Sequence, residues 1–455
     1  MRAEENVLLT QTGAGTPMGE LLRRYWWPVT SNGRLLRDPV ISVRLLGEDL
    51  TLFKDKSGRI GLVDRRCAHR RVDLSIGMPT EEGLRCMYHG WMYDVNGQCI
   101  DQPTEPDGSH FSEKVRIKSY PVQELGGLIF AYLGPEPVPL LPRWDVLVWD
   151  NTYRHVGASV LNANWLQCME NSVDTSHTEY THGWWFEYHV LDRGGGTGDP
   201  AHDAIAQEHA DSFKVRHLKT EWEVNEWGIQ KFRLREGEAE DTPDWTVGHP
   251  LVFPYFVRLG GKIRSELQIR VPIDDEHTLH LDYMAYCPGP DVEVPEQDYV
   301  PYFEHPLFDD AGRPIADYVL AQDLAAWWSQ GAIADRENER LGVSDRGVIM
   351  FRKLLMDQMK IVQDGGDPIN VFRDPATNER IDLPVNVLPG PVTPSAFSEK
   401  DDHRMSLTEM GDMTAVVGDS AGFKLSHYHM DRYSPALNQI LEIYRRYEEV
   451  RLQRA

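Results

Sequence analysis

Several features are scarce in this chain of 455 residues. It has only five cysteines, too few and too scattered for a disulfide framework, and this usage favours a reducing cytoplasm. No run of about 18 apolar residues occurs, so no transmembrane helix is expected. No apolar segment follows Met1, so no secretory signal is expected either. Lys and Arg total 47 against 71 Asp and Glu, and the net charge of −24 argues against a nucleic acid as the partner.

The composition is nevertheless that of a folded protein, with 41% hydrophobic and 26% charged residues. Residues 40–135 show short alternating segments separated by turns, which predict strands, and the Pro-rich stretch 135–142 is a natural boundary. Beyond it, the pattern predicts one antiparallel sheet with strands in 213–236, 263–272 and 278–287, and a loop at 194–198. Helices are predicted in 16–30 (ending before Pro28), 161–182, 314–330, 344–363 and 435–451.

Two short segments each combine a cysteine with a histidine. Cys67 and His69 are one residue apart, and after sixteen further residues come Cys86 and His89, with two residues between them. Each pair is predicted to lie on a loop that follows a strand. The four side chains could therefore close around one metal centre.

These ligand types fit either a structural Cys2His2 zinc site or a Rieske [2Fe–2S] cluster. Zinc fingers usually pair two cysteines on one segment and two histidines on the other. Here each segment supplies one of each, which suits a cluster whose two irons are reached from both loops and favours the Rieske interpretation. Cys99, Cys168 and Cys287 lack partner spacing and are interpreted as buried, inert thiols.

A second polar group lies between Asn171 and His182. His177 and His182 with one carboxylate would make the facial triad of non-haem Fe(II) oxygenases, which leaves positions for O2. Residues five apart lie about 140° apart on an ideal α-helix, so the spacing predicts a helix end or a distortion between the two histidines. Asp174, three residues before His177, would share its face. Histidine-rich segments of this kind also occur without metal.

The third ligand must come from elsewhere in the chain. Asp323 lies among apolar residues of the predicted helix 314–330, where a buried carboxylate is costly unless it is paired or metal-bound. Asp317, Asp335 and Glu337 have more polar surroundings and are interpreted as solvated. Asp323 is therefore the best candidate, with a salt bridge as the alternative.

Taken together, the motifs resemble those of Rieske non-haem iron oxygenases, the terminal components of aromatic-ring-hydroxylating systems. The pattern C-x-H-x16-C-x2-H is followed by N-x2-D-x2-H-x4-H. The segments GTPMGELLRRYWWPV and GAIADRENERLGVSD are similar to those of the phthalate-dioxygenase-like subgroup, and the resemblance spans nearly the whole chain. One departure is Ala68, where the family commonly has proline, but it removes no ligand.

The resemblance implies a role for each matched residue. The four cluster ligands are matched by Cys67, His69, Cys86 and His89, and the three ligands of a mononuclear Fe(II) by His177, His182 and Asp323. Asp174 matches the aspartate that connects the iron site of one subunit to a Rieske histidine of the next. Asn171 matches a position beside the iron ligands.

The resemblance also implies the architecture and the partners. We expect an α+β chain with an all-β Rieske domain and an N-terminal helical segment in residues 1–140. Residues 141–455 would form a helix-grip catalytic domain with a central antiparallel sheet flanked by helices. The expected assembly is a cytoplasmic homotrimer, and the expected electron source is an NAD(P)H-dependent reductase, with or without a separate ferredoxin.

Enzymes of the subgroup act on aromatic carboxylates, so we expect hydroxylation or oxidative O-demethylation of an aromatic, carboxylate-bearing substrate by O2. Cis-dihydroxylation of a phthalate-like acid is the alternative, and a Rieske electron carrier without catalysis or a zinc-stabilised binding module are alternatives of another class. Candidate contacts for the carboxylate, each of which could instead be solvated, are Arg258, Lys262, Arg264 and Arg270. Aromatic pairs that could line a pocket or belong to the core are Trp184-Trp185 and Trp327-Trp328.

Overall fold

The computed structural model describes residues 1–194, 196, 200–388, 417–419, 422–424 and 430–454. Most of the loop predicted at 194–198 lies outside these residues. Among the described residues, no helix combines the length and the apolar character that a bilayer span requires.

Short strands form the N-terminal part of the chain. They are β1 (Trp26–Ser31), β2 (Val40–Leu45), β3 (Glu48–Lys54), β4 (Ile60–Asp64), β5 (Met78–Pro79), β6 (Leu84–Arg85), β7 (Met92–Tyr93), β8 (Cys99–Asp101), β9 (Ser119–Tyr120), β10 (Val122–Leu125) and β11 (Leu128–Tyr132). They pair as three antiparallel sheets in the orders β1-β11-β10, β2-β3-β4-β9 and β5-β6-β7-β8. As a result, one cysteine–histidine loop follows β4 and the other connects β6 to β7.

The helical segments in this part are α1 (Ala3–Thr10), α2 (Pro17–Leu22) and α3 (Asn32–Arg37). The prediction of one helix through 16–30 is wrong in its second half. The Thr16 side chain caps α2 by accepting a hydrogen bond from the Gly19 amide, but α2 ends at Leu22. Trp26 and Trp27 belong to β1, where both are buried and pair with β11. Burial of both indoles in a sheet outweighs the helical periodicity of the sequence.

The second part is built on an eight-stranded sheet. Its strands are β12 (Tyr153–Leu161), β13 (His217–Asn225), β14 (Gly228–Arg235), β15 (His249–Val252), β16 (Phe256–Leu259), β17 (Arg264–Pro272), β18 (Thr278–Tyr286) and β19 (Tyr302–Glu304). Their order is β13-β14-β15-β16-β17-β18-β12-β19, and only the β12–β19 pair is parallel. A separate antiparallel hairpin joins β20 (Val417–Asp419) to β21 (Gly422–Lys424).

Helices flank this sheet, as the sequence predicts for an α+β chain. They are α4 (Asp145–Val148), α5 (Trp165–Asn171), α6 (Pro200–Phe213), α7 (Pro243–Thr246), α8 (Val319–Ser329), α9 (Arg346–Gln363) and α10 (Leu437–Arg454). Two further segments are π-helices, π1 (Thr178–Trp185) and π2 (Tyr188–Asp192).

One hydrophobic core connects the two parts, because buried residues of β1 and β11 join the same cluster as residues of β17, β18 and α9. The boundary near residue 140 stays a prediction. It falls in the connection between β11, which ends at Tyr132, and β12, which begins at Tyr153.

Candidate functional site

The first candidate site lies on the two cysteine–histidine loops. Cys67 and Cys86 are at most 2% exposed, whereas His69 is exposed and His89 is half-buried. The centroids of the two imidazole rings are 4.4 Å apart. The loops therefore offer two thiolates on the inner side and two imidazoles on the outer side. This donor set fits a [2Fe–2S] cluster with one iron held by sulfur and the other by nitrogen.

Backbone hydrogen bonds fix both loops. The Cys67 amide donates to the Val72 carbonyl (2.9 Å), and the Cys86 amide donates to the Trp91 carbonyl (2.8 Å). Gly90 has φ = +76° and donates to the Cys86 carbonyl, and a Cβ there would lie 2.7 Å from Pro103. Only glycine fits this turn without strain.

The cysteine sulfurs have hydrogen-bonding neighbours. Tyr93 Oη lies 3.2 Å from Cys67 Sγ and accepts a hydrogen bond from the Ala68 amide, so the phenolic hydrogen is available to the sulfur. Burial raises the pKa of the Cys86 thiol, and the neighbouring Cys67 raises it further. A bound metal would offset this cost of two adjacent thiolates. Because residue 68 is alanine and not the proline usual in the family, its backbone amide can donate the hydrogen bond to Tyr93 Oη.

One aromatic side chain packs against each of the two histidines. Trp91 stacks on the His69 ring at an interplanar angle of 8°, and Tyr88 lies against His89 with 3.8 Å between centroids. Tyr88 is itself 51% exposed, as are Met87 at 52% and Phe111 at 47%. The outer edge of this site is therefore an exposed apolar surface.

The other cysteines lie apart from this donor set. Cys99 and Cys168 are buried, as predicted, and burial raises the pKa of their thiols to about 11 and about 12. Cys287 is only half-buried, which differs from the prediction.

The second candidate site brings together His177, His182 and Asp323. Their ligand atoms all lie within 4.8 Å of one another. Both imidazole Nε2 atoms are 3.5 Å from Asp323 Oδ1. Three ligands at about 2.1 Å from one ion are separated by about 3 to 3.5 Å, so two imidazoles and one carboxylate could hold a single metal ion here.

A π-helix explains how histidines five residues apart share a site. His177 directly precedes π1 and His182 lies within it. The i→i+5 hydrogen bonding of a π-helix brings residues five apart close to one turn apart, whereas an α-helix separates their directions. The distortion that the sequence spacing requires is therefore π1.

Gln322 orients His182, a role that the sequence analysis did not identify. Gln322 Oε1 lies 2.7 Å from His182 Nδ1, and Gln322 Nε2 donates to the Ala316 carbonyl. Because the amide nitrogen is engaged with Ala316, the amide oxygen faces the imidazole and accepts from Nδ1–H. In this tautomer the lone pair of the ring is on Nε2, the atom through which the imidazole could bind a metal. A carboxamide on an otherwise apolar helix face, next to Asp323, was the available signal.

Asn171 and Asp174 flank the other two candidate ligands. Asn171 Nδ2 donates to Asp323 Oδ1 at 3.2 Å, and Asp174 Oδ2 lies 3.5 Å from His177 Nδ1. Burial raises the pKa of Asp174, but hydrogen bonding and charge from His177 outweigh it, and the pKa lies below its usual value. Asp174 is therefore a carboxylate at neutral pH and can hold the His177 ring.

A cavity of about 190 Å³ opens beside the three candidate ligands. Its walls include apolar and aromatic side chains from α6 and β16, namely Phe213, Val257 and Leu259. Alternate residues of β14 also line it, namely Lys231, Arg233 and Arg235.

The cations proposed from sequence to contact a substrate lie elsewhere. Among the described residues, Arg258, Lys262, Arg264 and Arg270 do not line this cavity. The three arginines are neither solvated nor available, because they are buried and bonded to Asp145 (2.8 Å), Glu266 (3.1 Å) and Gln268 (2.9 Å), respectively. The tryptophan pairs do not line the cavity either; Trp327 is core, and Trp184 is 49% exposed.

Two segments of the chain match known protein families. Residues 25–121 match the Rieske [2Fe-2S] domain, and residues 316–382 match the family described as LigXa C-terminal domain like. The chain belongs to the Rieske non-haem iron oxygenases. It is an enzyme of the oxygenase-subunit type, and its family uses a [2Fe–2S] cluster and a mononuclear iron. The alternatives of a carrier without catalysis and a zinc-stabilised module are therefore set aside.

Its relatives include oxygenase subunits of two reaction types. The 5,5'-dehydrodivanillate O-demethylase oxygenase subunit of Sphingobium sp. (strain NBRC 103272 / SYK-6) is 41% identical and covers 84% of this chain and 86% of that protein. The phthalate 4,5-dioxygenase oxygenase subunit of Pseudomonas putida is 31% identical, and the match covers 80% of this chain and 88% of that protein. The solved terminal oxygenase of carbazole 1,9a-dioxygenase from Novosphingobium sp. KA1 shares the fold, with a TM-score of 0.51, 21% identity and coverage of 77% and 97%.

Proposed function

We propose that this chain oxidatively O-demethylates or hydroxylates an aromatic acid in the cavity beside His177, His182 and Asp323. The observation that carries the proposal is the convergence of these three side chains at the wall of that cavity. A methoxylated aromatic acid is the favoured substrate, since the relative that is 41% identical is named as an O-demethylase of a divanillate.

The proposed ligands follow from the two donor sets. Cys67, His69, Cys86 and His89 would hold the cluster, and the three residues beside the cavity would hold iron. Bound there, the two groups would supply electrons and O2 activation. The protein's own residues do the positioning, because Gln322 fixes the tautomer of His182, Asp174 faces His177, and Asn171 donates to Asp323.

The proposed O-demethylation is balanced as follows. An aryl methyl ether, O2, NAD(P)H and a proton give a phenol, formaldehyde, water and NAD(P)+. The methyl carbon is oxidised and leaves as formaldehyde, while the second oxygen atom is reduced to water. The two electrons come from NAD(P)H through a partner reductase.

The test begins with protein prepared and loaded with iron under anaerobic conditions. About three irons per chain and a Rieske EPR signal after reduction are expected. Turnover with a reductase, O2 and a panel of methoxylated benzoates that includes 5,5'-dehydrodivanillate should release formaldehyde. Asp323→Ala is the matched control, which should keep the cluster signal and lose product. A cis-diol product would favour the dioxygenase alternative, and an iron-replete protein that oxidises no aromatic acid would contradict the proposal.

We also propose a cytoplasmic homotrimer in which the cluster of one subunit faces the catalytic iron of the next. Two exposed apolar surfaces support it. One surrounds His69 and His89, and the other comprises Tyr180 (65% exposed), Trp184 (49%) and Tyr188 (51%) on π1 and π2. Surfaces of this kind commonly pack against each other between subunits. The cytoplasmic location is supported by five cysteines that are all free thiols.

Subunit complementation tests this arrangement. Cys86→Ser removes a cluster ligand and Asp323→Ala removes an iron ligand, so neither variant should be active alone. Co-expressed variants should regain activity, because mixed trimers contain an intact cluster beside an intact iron site. The same variants purified separately and mixed as assembled oligomers are the control. Inactive co-expressed trimers, or a monomer in sedimentation, would contradict the arrangement.

A further inference from the structure

The cavity beside the three candidate iron ligands has a cationic wall that one strand provides. Lys231, Arg233 and Arg235 alternate along β14, so all three side chains point to the same face of the sheet. All three line the cavity that His177 and Asp323 also line.

Both arginines already have anionic partners. Arg233 Nε donates to Asp244 Oδ2 at 2.9 Å, and Arg235 Nε donates to Glu238 Oε1 at 2.9 Å. Asp244 is buried, and its other oxygen lies 3.4 Å from His249 Nε2. The charges of the two arginines are therefore used within the protein and hold the wall together.

Lys231 differs from these arginines. Within the part of the chain that the structure describes, no hydrogen bond or ion pair involves its ammonium group. Burial, reinforced by the charge of Arg233, lowers the pKa of Lys231 to about 8, although Asp174 and Asp323 attract the charged form. A partly buried ammonium without a partner is costly, and an anion entering the cavity would remove that cost.

We propose that Lys231 binds the carboxylate of the aromatic substrate and so sets the enzyme's preference for aromatic acids over their neutral analogues. This inference rests on the proposed function. Among the described residues of this wall, Lys231 is the cation without an anionic partner, and it matches one carboxylate of a bound substrate. A carboxylate held at Lys231 Nζ would also limit which part of the ring can approach the His177, His182 and Asp323 side of the cavity.

The test measures binding separately from turnover. Equilibrium dialysis with anaerobic, reduced holoenzyme compares each methoxylated benzoate of the panel with its methyl ester. The wild-type protein should bind at least one acid at least tenfold more tightly than its ester. Lys231→Met should weaken binding of that acid at least tenfold and leave the ester within twofold, and Lys231→Arg should recover part of the loss.

Lys353→Met is the matched control, since the Lys353 side chain is 74% exposed on α9. This variant should bind the acid and its methyl ester as the wild-type protein does. Lys231→Gln serves as a second variant, and circular dichroism and iron content check the fold of each. Equal acid affinity in Lys231→Met and wild type would overturn the inference. A wild-type protein that binds esters as tightly as acids would overturn it too, and formaldehyde release from those esters would leave the O-demethylase function standing. A wild-type holoenzyme that neither binds nor oxidises the acids or the esters would overturn both the role of Lys231 and the O-demethylase function.

Discussion

Gln322 shows how one uncharged side chain can decide whether a histidine is a metal ligand. Its amide oxygen lies 2.7 Å from His182 Nδ1, and its amide nitrogen is engaged with the Ala316 carbonyl. With Nδ1 protonated, the lone pair of His182 is on Nε2, the atom that faces Asp323 Oδ1. Partners of this kind are as much part of a metal site as the ligands are.

Replacing this partner should weaken metal binding. Gln322→Leu keeps the side-chain volume but removes the acceptor, so we expect iron affinity to fall about 10- to 100-fold. A competition titration with an iron chelator on anaerobic protein measures this. Gln322→Glu, which keeps an acceptor, should recover much of the affinity, and Gln363→Leu at the exposed end of α9 is the control. An unchanged affinity in Gln322→Leu would contradict the role assigned to Gln322.

At the cluster site, Tyr93 has a comparable role toward Cys67. A hydrogen bond to a cluster sulfur stabilises the reduced state more than the oxidised state, because the reduced cluster is more negative. With a difference of about 1 kcal/mol, Tyr93→Phe should lower the midpoint potential by about 40 mV. A redox titration followed by EPR measures the shift. Tyr88→Phe, on the exposed edge, should leave the potential nearly unchanged, and a Tyr93→Phe potential equal to the wild type would count against this hydrogen bond.

Six of the candidate ligands could be named from sequence because their spacings are local: Cys67 with His69, Cys86 with His89, and His177 with His182. The seventh, Asp323, was named because a carboxylate on an apolar helix face is unusual. Gln322 and Lys231 could not, since their roles depend on which distant segment each side chain meets. Lys231 is one of three alternating cations on β14, and only the positions of Asp244 and Glu238 distinguish it from Arg233 and Arg235.

At the scale of elements, the packing of α9 positions the segment between Asn171 and Asp174. Trp222 Nε1 on β13 donates to the Val173 carbonyl at 2.7 Å, and Gly347 in the first turn of α9 lies against both groups. A Cβ at Gly347 would lie 2.4 Å from Trp222 Nε1 and 2.6 Å from Val173 O. The helix can dock this closely only because residue 347 has no side chain.

Gly347→Ala should therefore destabilise the protein. The clash costs about 1–3 kcal/mol, whereas alanine in a helix gains about 1 kcal/mol, so a net loss of up to about 2 kcal/mol in the free energy of unfolding is expected. Urea unfolding followed by circular dichroism measures it. Gly342→Ala is the control, because the nearest atom to its Cβ would be 3.7 Å away. If Gly347→Ala were as stable as Gly342→Ala, this close packing would not hold.

The helices predicted at 344–363 and 435–451 and the strands predicted at 263–272 and 278–287 lie within three residues of the observed elements, whereas α6, β12, β15 and β16 were not predicted. The second half of the helix expected to end before Pro28 is strand β1, because Trp26 and Trp27 pair with β11, about a hundred residues away. The departure from α-helix near His177 was expected from the spacing, but its form as a π-helix was not. Local patterns predict an element's existence, and long-range partners decide its type and its ends.

At the scale of the whole molecule, Asp174 would connect the two proposed centres in the proposed trimer. It lies beside His177 and is half-buried, so one side of its carboxylate can face a neighbouring subunit. Removing it would leave the three candidate iron ligands in place but take away the group proposed to lie between the subunits.

Asp174→Ala should accordingly separate iron binding from electron transfer. We expect iron content near that of the wild type and single-turnover electron transfer from the reduced cluster slowed at least about 10- to 100-fold. Rapid-mixing absorption spectroscopy follows cluster oxidation in the presence of substrate and O2. Asp192→Ala, an exposed aspartate at the end of π2, should behave like the wild type. Retained electron transfer in Asp174→Ala would exclude this route between subunits.

Helix α8 faces both nitrogens of one imidazole. Neighbouring positions on this helix supply Gln322, which faces His182 Nδ1, and Asp323, which lies on the Nε2 side of the same ring. A rotation or partial melting of α8 that withdraws one group withdraws the other as well. A movement of α8 would therefore disturb two candidate ligands at once, Asp323 directly and His182 through Gln322. On heating, iron release and the undocking of α8 should coincide in a single transition, so a partly unfolded protein would not retain a loosely held, reactive iron.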